Sequence, residues 1–366
     1  MNDTIGVLLP QSKEFPKLGK EFLNGVRLAL DANRVDFKVE GIGFANNAER
    51  VIDAIEKLSN QNELSCITGI LGHRDLSQIL DHIERIDQRL IYTDLGATKP
   101  LDLSGRSGIF CNSLDLYGAT GALGRYFLDQ GLLNVATSTC YYESGYGFTD
   151  AMHRALYRDN KGRFAGHFIT PLHPRDNEAQ LLSEFVSATS PDALFAFYNG
   201  TFAKEHAEFL AESKVYKHIP LYTLPFTVTA EILNAFPGVF HSVRFVSSWL
   251  PEDINTKNVE FILNYTKIFG EKPSIFAVLG YENGLLIKHN LKTQDFDTTT
   301  IKSPRGDLVT EAKANRTFIN QRLWEIHWNG NSYEHTFLQN LDTTNIHDDP
   351  VREDNSPGWH NAYLCV

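Results

Sequence analysis

Ile5-Gly6-Val7-Leu8-Leu9-Pro10 decides the fold: an unbroken apolar run closed by a proline reads as a strand buried on both faces. Downstream, Phe22, Val26, Ala29 and Leu30 recur at helical spacing. Phe37-Lys38-Val39-Glu40-Gly41-Ile42 then alternates as a strand, and Val51, Ile55 and Leu58 return to the helical period. Cys66-Ile67-Thr68-Gly69-Ile70-Leu71 is another strand, followed by a helix through Leu76, Ile79, Leu80 and Ile83 and a short buried strand at Leu90-Ile91-Tyr92. This alternation of strand and helix is the signature of a doubly wound parallel α/β sheet.

The plan restarts near residue 117. Leu116 to Leu128 reads as a helix, Val135-Ala136-Thr137 as a strand and Phe148 to Tyr157 as a helix. Strands at 164–169, 193–197 and 220–224 follow, with helices 179–188 and 202–213 between them. Two more helical stretches, 259–269 and 276–291, are split by Gly270-Glu271-Lys272-Pro273. Arg322 to Trp328, Asn329-Gly330-Asn331 and Tyr333 to Leu338 spell a β-hairpin. The stretch from Leu341 onward is polar and reads as a surface extension.

Composition narrows the function. The chain has 366 residues, with 34 basic against 45 acidic side chains and a net charge of -11. That balance argues against nucleic acid as a partner, because phosphate contacts need clustered Lys and Arg. No apolar run approaches the ~20 residues of a membrane helix. Residues 1–6 show no basic region followed by an apolar stretch, so two readings stand: a cytosolic protein, or an exported one whose signal was removed. The four cysteines, Cys66, Cys111, Cys140 and Cys365, form no CxxC and no metal-ligand spacing. They read as buried free thiols.

No GxxxxGK[ST], GxSxG or HExxH motif is present, and Gly41-Ile42-Gly43-Phe44-Ala45-Asn46 lacks the third glycine of a dinucleotide fingerprint. No catalytic residue, metal or cofactor is therefore expected. The informative residues follow strands, where ligands of open α/β sheets bind. Four such loops are rich in polar and aromatic groups: Gly72-His73-Arg74-Asp75-Leu76-Ser77, Thr93-Asp94-Leu95-Gly96-Ala97-Thr98-Lys99-Pro100, Cys140-Tyr141-Tyr142-Glu143-Ser144-Gly145-Tyr146-Gly147 and Tyr198-Asn199-Gly200-Thr201-Phe202. Hydroxyls facing tyrosines suit a small polar ligand with an apolar body.

The order of these signals resembles the type I periplasmic binding proteins of the leucine/isoleucine/valine- and amide-binding branch, the substrate-binding components of ABC transporters. The resemblance rests on Ile5 to Pro10 leading to Gly19 and Gly25, on Gly69-Ile70-Leu71-Gly72-His73, on Gly96-Ala97-Thr98-Lys99-Pro100 and on Tyr146-Gly147. Leu279-Gly280-Tyr281-Glu282 and Ser303-Pro304-Arg305-Gly306-Asp307 complete it. It implies an α/β fold of two doubly wound parallel-sheet lobes joined by three hinge crossovers, with lobe one at 1–117 plus 250–303 and lobe two at 118–249 plus 304–366.

The resemblance also implies a ligand held between the lobes by hinge closure and delivered to an ABC permease by a monomeric, periplasmic or extracytoplasmic protein. By position, Thr98 would bind a carboxylate through its hydroxyl and N–H, with Gly96 adding backbone contacts. Leu18 falls where the family often has an aromatic side chain, and Tyr146 matches the tyrosine that closes from lobe two. Thr201 or Phe202 would form a wall, and Phe276 or Tyr281 the rim; His73, Arg74 and Tyr198 lie in the same loops. The family serine falls on Leu76, with Ser77 one place later. The acidic partner of an amino acid's ammonium falls on Phe226, leaving Asp94 or Glu143 to serve, with Arg74 to offset Asp94. The ligand class implied is an amino acid, an amide or a related compound. A ligand-sensing regulatory domain of the same fold is the alternative, with a cleft enzyme behind it.

Overall fold

A computed structural model describes residues 3–30, 35–73, 75–158, 160–293, 297–343, 346 and 362–365. The chain runs first through β1 (Asp3–Leu9), α1 (Leu18–Leu30), β2 (Val35–Gly41), α2 (Ala48–Gln61), β3 (Cys66–Ile70), α3 (Leu76–Arg85), β4 (Leu90–Asp94) and β5 (Ile109–Ser113). Every residue of β3, β4 and β5 is buried, as expected of parallel strands covered by helices on both faces.

The second unit holds α4 (Leu116–Asp129), β6 (Asn134–Cys140), α5 (Phe148–Tyr157), β7 (Arg163–Thr170), α6 (Glu178–Thr189), β8 (Ala193–Phe197), α7 (Gly200–Ser213), β9 (Leu221–Thr223), α8 (Ala230–Ala235) and β10 (Arg244–Val246). The chain then returns to the first lobe with α9 (Thr256–Phe269), α10 (Ile275–Thr293), β11 (Thr300–Ser303), β12 (Gly306–Glu311) and β13 (Arg316–Phe318). It ends its regular structure in the second lobe with the hairpin β14 (Gln321–Trp328) and β15 (Tyr333–Leu341).

The first sheet has the order β11-β12-β13-β5-β4-β3-β1-β2 and the second β15-β14-β10-β9-β8-β6-β7. Both are parallel in the middle. Antiparallel pairs close one side of each, β11 with β12 and β12 with β13 in the first, β10 with β14 and β14 with β15 in the second. The sheets are thus mixed rather than wholly parallel. The expected boundary at 303/304 also needs correction: β12 and β13 pair within the first sheet, so the third crossover lies between Phe318 and Gln321. The first two lie between Ser113 and Leu116 and between Val246 and Thr256.

Two arginines fasten these crossovers. Arg305, in the turn between β11 and β12, donates to the carbonyl of Ser113 at 3.1 Å and to the hydroxyl of Ser248 at 3.4 Å. Arg322 donates to the carbonyl of Arg305 at 2.9 Å and forms an ion pair with Asp253. One cluster of side chains therefore holds all three crossovers together.

In lobe one, α1 lies directly on α10. A Cβ at Gly25 would stand 2.0 Å from the carbonyl oxygen of Ala277, and one at Gly280 would stand 2.0 Å from that of Phe22. Only glycine allows the two backbones to come this close.

The expected surface extension is corrected as well. Ala362, Tyr363, Leu364 and Cys365 are all buried. All four cysteines are buried thiols outside any disulfide. No helix among the described residues is long and apolar enough to cross a membrane.

Candidate functional site

The loops beyond the carboxyl ends of the two sets of strands face each other across a cleft. At its rim, the Gly147 N–H of lobe two donates to the Ala97 carbonyl of lobe one at 2.8 Å. The carboxylate of Glu14, after β1, accepts from the Thr201 N–H at 2.7 Å and from its hydroxyl at 2.9 Å. Thr201 lies in the first turn of α7, where the positive end of the helix dipole favours a carboxylate. Three rings also meet across the lobes: Phe15 sits edge-on to Phe226 and to Phe276, each at 5.7 Å, while Phe226 stacks on Phe276 at 6.0 Å.

Lobe one supplies the polar end of the cleft. Asp94 terminates β4, is buried, and accepts from the Ser113 hydroxyl. His73 Nε2 lies 3.8 Å from the Asp94 carboxylate. Burial pulls the His73 pKa down, against the opposing pull of Asp94. Arg316, on β13 and buried, is the described cation whose charge acts on Asp94, and its Nη2 donates to the Leu101 carbonyl at 3.0 Å. Gly96 has φ +64°, and a Cβ there would lie 2.6 Å from Asp115 Cα, so this turn requires glycine. The neighbouring Thr98 hydroxyl is buried and has no hydrogen-bond partner among the described residues.

Lobe two supplies an aromatic wall with a buried polar floor. Tyr146 donates to the Tyr142 hydroxyl at 2.9 Å, and Phe202 stacks on Tyr142 at 6.2 Å. Behind them Glu143 is buried, accepting hydrogen bonds from the Cys140 thiol and the Asn199 amide. Burial raises the Glu143 pKa to about 8, so the carboxyl is mostly protonated at neutral pH. Tyr198 lies deeper, with its hydroxyl 2.6 Å from that of Ser138 and its ring stacked on buried His206 at 4.0 Å. Burial lowers the His206 pKa to about 3, keeping that ring neutral.

The expected site residues sort accordingly. His73, Asp94, Gly96 and Thr98 gather at the lobe-one end. Tyr146, Phe202 and Phe226 form the wall, Tyr198 lies beneath it, and Thr201 engages the opposite lobe. Three expectations need correction. Ser77 is exposed on α3. Tyr281 packs at 5.0 Å against Phe261 of α9, away from the cleft. At about 100° per residue, five positions turn it to the opposite side of α10 from Phe276. Leu18 is buried as the first residue of α1, whereas Phe15, three residues earlier, reaches the cleft aromatics. Arg74 lies outside the described residues. Reading the sequence alone misses Glu14, Phe15 and Arg316, of which only the aromatic Phe15 near the Leu18 position carried a usable signal; Tyr142 and Asn199 fall in loops the sequence singles out, without being picked as individual contacts.

Residues 4–318 match the family model of the periplasmic binding protein. The chain belongs to the periplasmic binding protein family. Among solved structures, an ABC transporter substrate-binding protein from Sphaerobacter thermophilus superposes with a TM-score of 0.77 at 18% identity, covering 93% of this chain and 98% of that one. A solute-binding protein of an ABC transporter from Rhodopseudomonas palustris BisB5, in complex with 3,4-dihydroxybenzoic acid, gives a TM-score of 0.74 at 17% identity over 93% and 97% of the two chains. A leucine-binding protein from Thermotoga maritima MSB8 gives 0.67 at 14% identity over 93% and 99%. At these identities the likeness shows the fold. No curated protein matches the chain. For a periplasmic binding protein, the space between the lobes is where the described polar and aromatic groups converge.

Proposed function

We propose that the protein is an extracytoplasmic solute-binding protein that captures a small aromatic acid between its lobes and delivers it to an ABC permease by hinge closure. The observation that carries this reading is the aromatic bridge of Phe15, Phe226 and Phe276, built from both lobes and facing a polar end where the Thr98 hydroxyl has no partner among the described residues. Phe226 stands where an amino acid's ammonium would need a carboxylate. Glu143, beside the wall, is held toward its neutral form. Asp94, the other acid at the cleft, is already engaged by the Ser113 hydroxyl and the charge of Arg316. An ammonium buried without an anionic partner of its own is costly, so the site favours an aromatic body with a carboxylate over an amino acid. The Rhodopseudomonas protein's complex with 3,4-dihydroxybenzoic acid supports that choice, and the Thermotoga leucine-binding protein supplies the competing one.

The test is thermal unfolding with benzoate, 4-hydroxybenzoate, 3,4-dihydroxybenzoate and leucine, followed by calorimetric titration. A ligand at ~100 times its Kd adds about 2.7 kcal/mol, which raises Tm by a few degrees. A shift with an aromatic acid, recovered chemically unchanged, is the expected result. A shift with leucine alone overturns the aromatic reading, and conversion of the ligand overturns binding without chemistry.

A further inference from the structure

The cleft between the lobes contains part of the chain itself. The Ala362 N–H donates to the Phe44 carbonyl at 3.2 Å, and the Ala362 backbone lies so close to Gly72 that a Cβ there would be 3.0 Å from its nitrogen. Both partners belong to lobe one. The next side chain enters lobe two. Tyr363 stacks on Tyr142 at 6.2 Å and meets Tyr146 at 4.9 Å, Phe148 at 5.3 Å and Phe226 at 6.1 Å, each edge-on. Its phenol is pushed well above its ordinary pKa by burial and by Glu143 and Tyr142, while the Asn199 side chain hydrogen-bonds to it. The backbone of Leu364 bonds to the Tyr142 hydroxyl. Leu364 and Cys365 are 0% exposed. Four residues with no regular structure thus touch both lobes through the very loops that face the cleft.

We propose that Ala362–Cys365 is a tethered occupant of the interlobe site, and that the free ligand admitted there carries a phenol ring and displaces Tyr363. The inference rests on the reading of this cleft as the ligand site. The phenol follows from the fit: a flat ring enclosed by four aromatic side chains, with its hydroxyl at the Asn199–Glu143 pair. A tethered group competes at an effective concentration in the mM range, so the apparent affinity for free ligand is reduced by the fraction of molecules whose site is vacated.

The experiment uses the full chain and its four buried thiols as reporters. Burial pushes the Cys365 pKa up to about 12, so alkylation of this thiol reports its release. Mass spectrometry follows alkylation of each cysteine under native conditions, with a synthetic peptide of residues 361–366 as the unprotected reference. In the wild-type chain, Cys365 is expected to react at least ~100-fold more slowly than in the peptide, as for a docked segment. Tyr363→Ala combined with Leu364→Asp should bring Cys365 close to the peptide rate, while Cys66, Cys111 and Cys140 stay protected and so certify the fold. Saturating N-acetyl-tyrosinamide should speed Cys365 labelling in the wild-type chain, and N-acetyl-phenylalaninamide, lacking only the hydroxyl, should do so less.

Wild-type Cys365 reacting at the peptide rate overturns the occupancy. Equal responses to the two amides, or none to either, overturn the phenol-bearing competitor. The solute-binding reading fails separately, if no aromatic acid or amino acid binds the double variant.

Discussion

Arg305 grips Glu282 with two of its guanidinium nitrogens, Nε at 3.0 Å from both carboxylate oxygens and Nη2 at 2.5 Å from one, and both side chains are fully buried. The same guanidinium reaches the Asn112 side chain, Ser113 at the first crossover and Ser248 at the second, and the Arg305 carbonyl accepts from Arg322 just past the third, so the pair is the pin through all three. It is held by α10 and by the turn between β11 and β12, both in lobe one.

A buried ion pair is far more sensitive to losing one member than to losing both. Glu282→Gln leaves an unmatched guanidinium in the interior and should cost about 3–5 kcal/mol, whereas Glu282→Leu with Arg305→Met should recover most of that loss. Urea unfolding of the three proteins checks this. A single variant within about 1 kcal/mol of wild type would refute the pair's role as a buried pin.

Glu143 gives a pH dependence with a definite sign. Its folded pKa is raised to about 8 from 4.5, so the folded state holds a proton that the unfolded state releases. The stabilisation is complete below pH 4.5, falls as pH rises from there, and is gone above about 8. Burial moves His206 the other way, from 6.5 to about 3, so that its charging in the unfolded state erodes stability as the pH falls between those values. Comparing wild type with Glu143→Gln isolates the first effect. Urea midpoints should show the wild type losing stability relative to the variant between pH 5 and pH 8; parallel curves would reject the assignment.

Thr98 separates binding from stability. Its buried hydroxyl has no partner within the described residues, and such a group is a cost in the protein without ligand. Thr98→Val should therefore leave Tm unchanged or slightly raised, while weakening the best aromatic acid by about 0.5–1.5 kcal/mol, the value of one hydrogen bond. Titration calorimetry and thermal unfolding, run side by side, read the two quantities. A Tm that falls together with the affinity would instead give Thr98 a structural role.

The central strands were legible because continuous apolar runs such as Cys66 to Leu71 admit few other readings in so short a span. The misplaced third crossover has a physical cause. β12 buries only Leu308 and Thr310 of its six residues, and the edge strand Thr300-Ile301-Lys302-Ser303 is largely polar; such strands look like surface loops until their neighbours are known. Phe15 was overshadowed by Leu18 because both lie near the start of α1, and only the facing ring of Phe226 decides which one reaches the cleft. Tyr363 was beyond reach for a deeper reason. Its partners lie at positions 142, 146, 148 and 226, and a four-residue segment carries no periodicity that could announce such an environment.

The contact of α1 with α10 has a mechanical meaning. With Gly25 and Gly280 letting the two backbones touch, neither helix can slide or roll without driving main-chain atoms into each other. The pair works as a stiff lever. One end of α10 carries Phe276, which meets Phe15 and Phe226 at the mouth of the cleft; six residues on, less than two turns of helix away, Glu282 is fixed to Arg305. A push on the aromatic end is therefore felt at the crossovers with little lost to bending, and the sensing surface and the fulcrum belong to one rigid part.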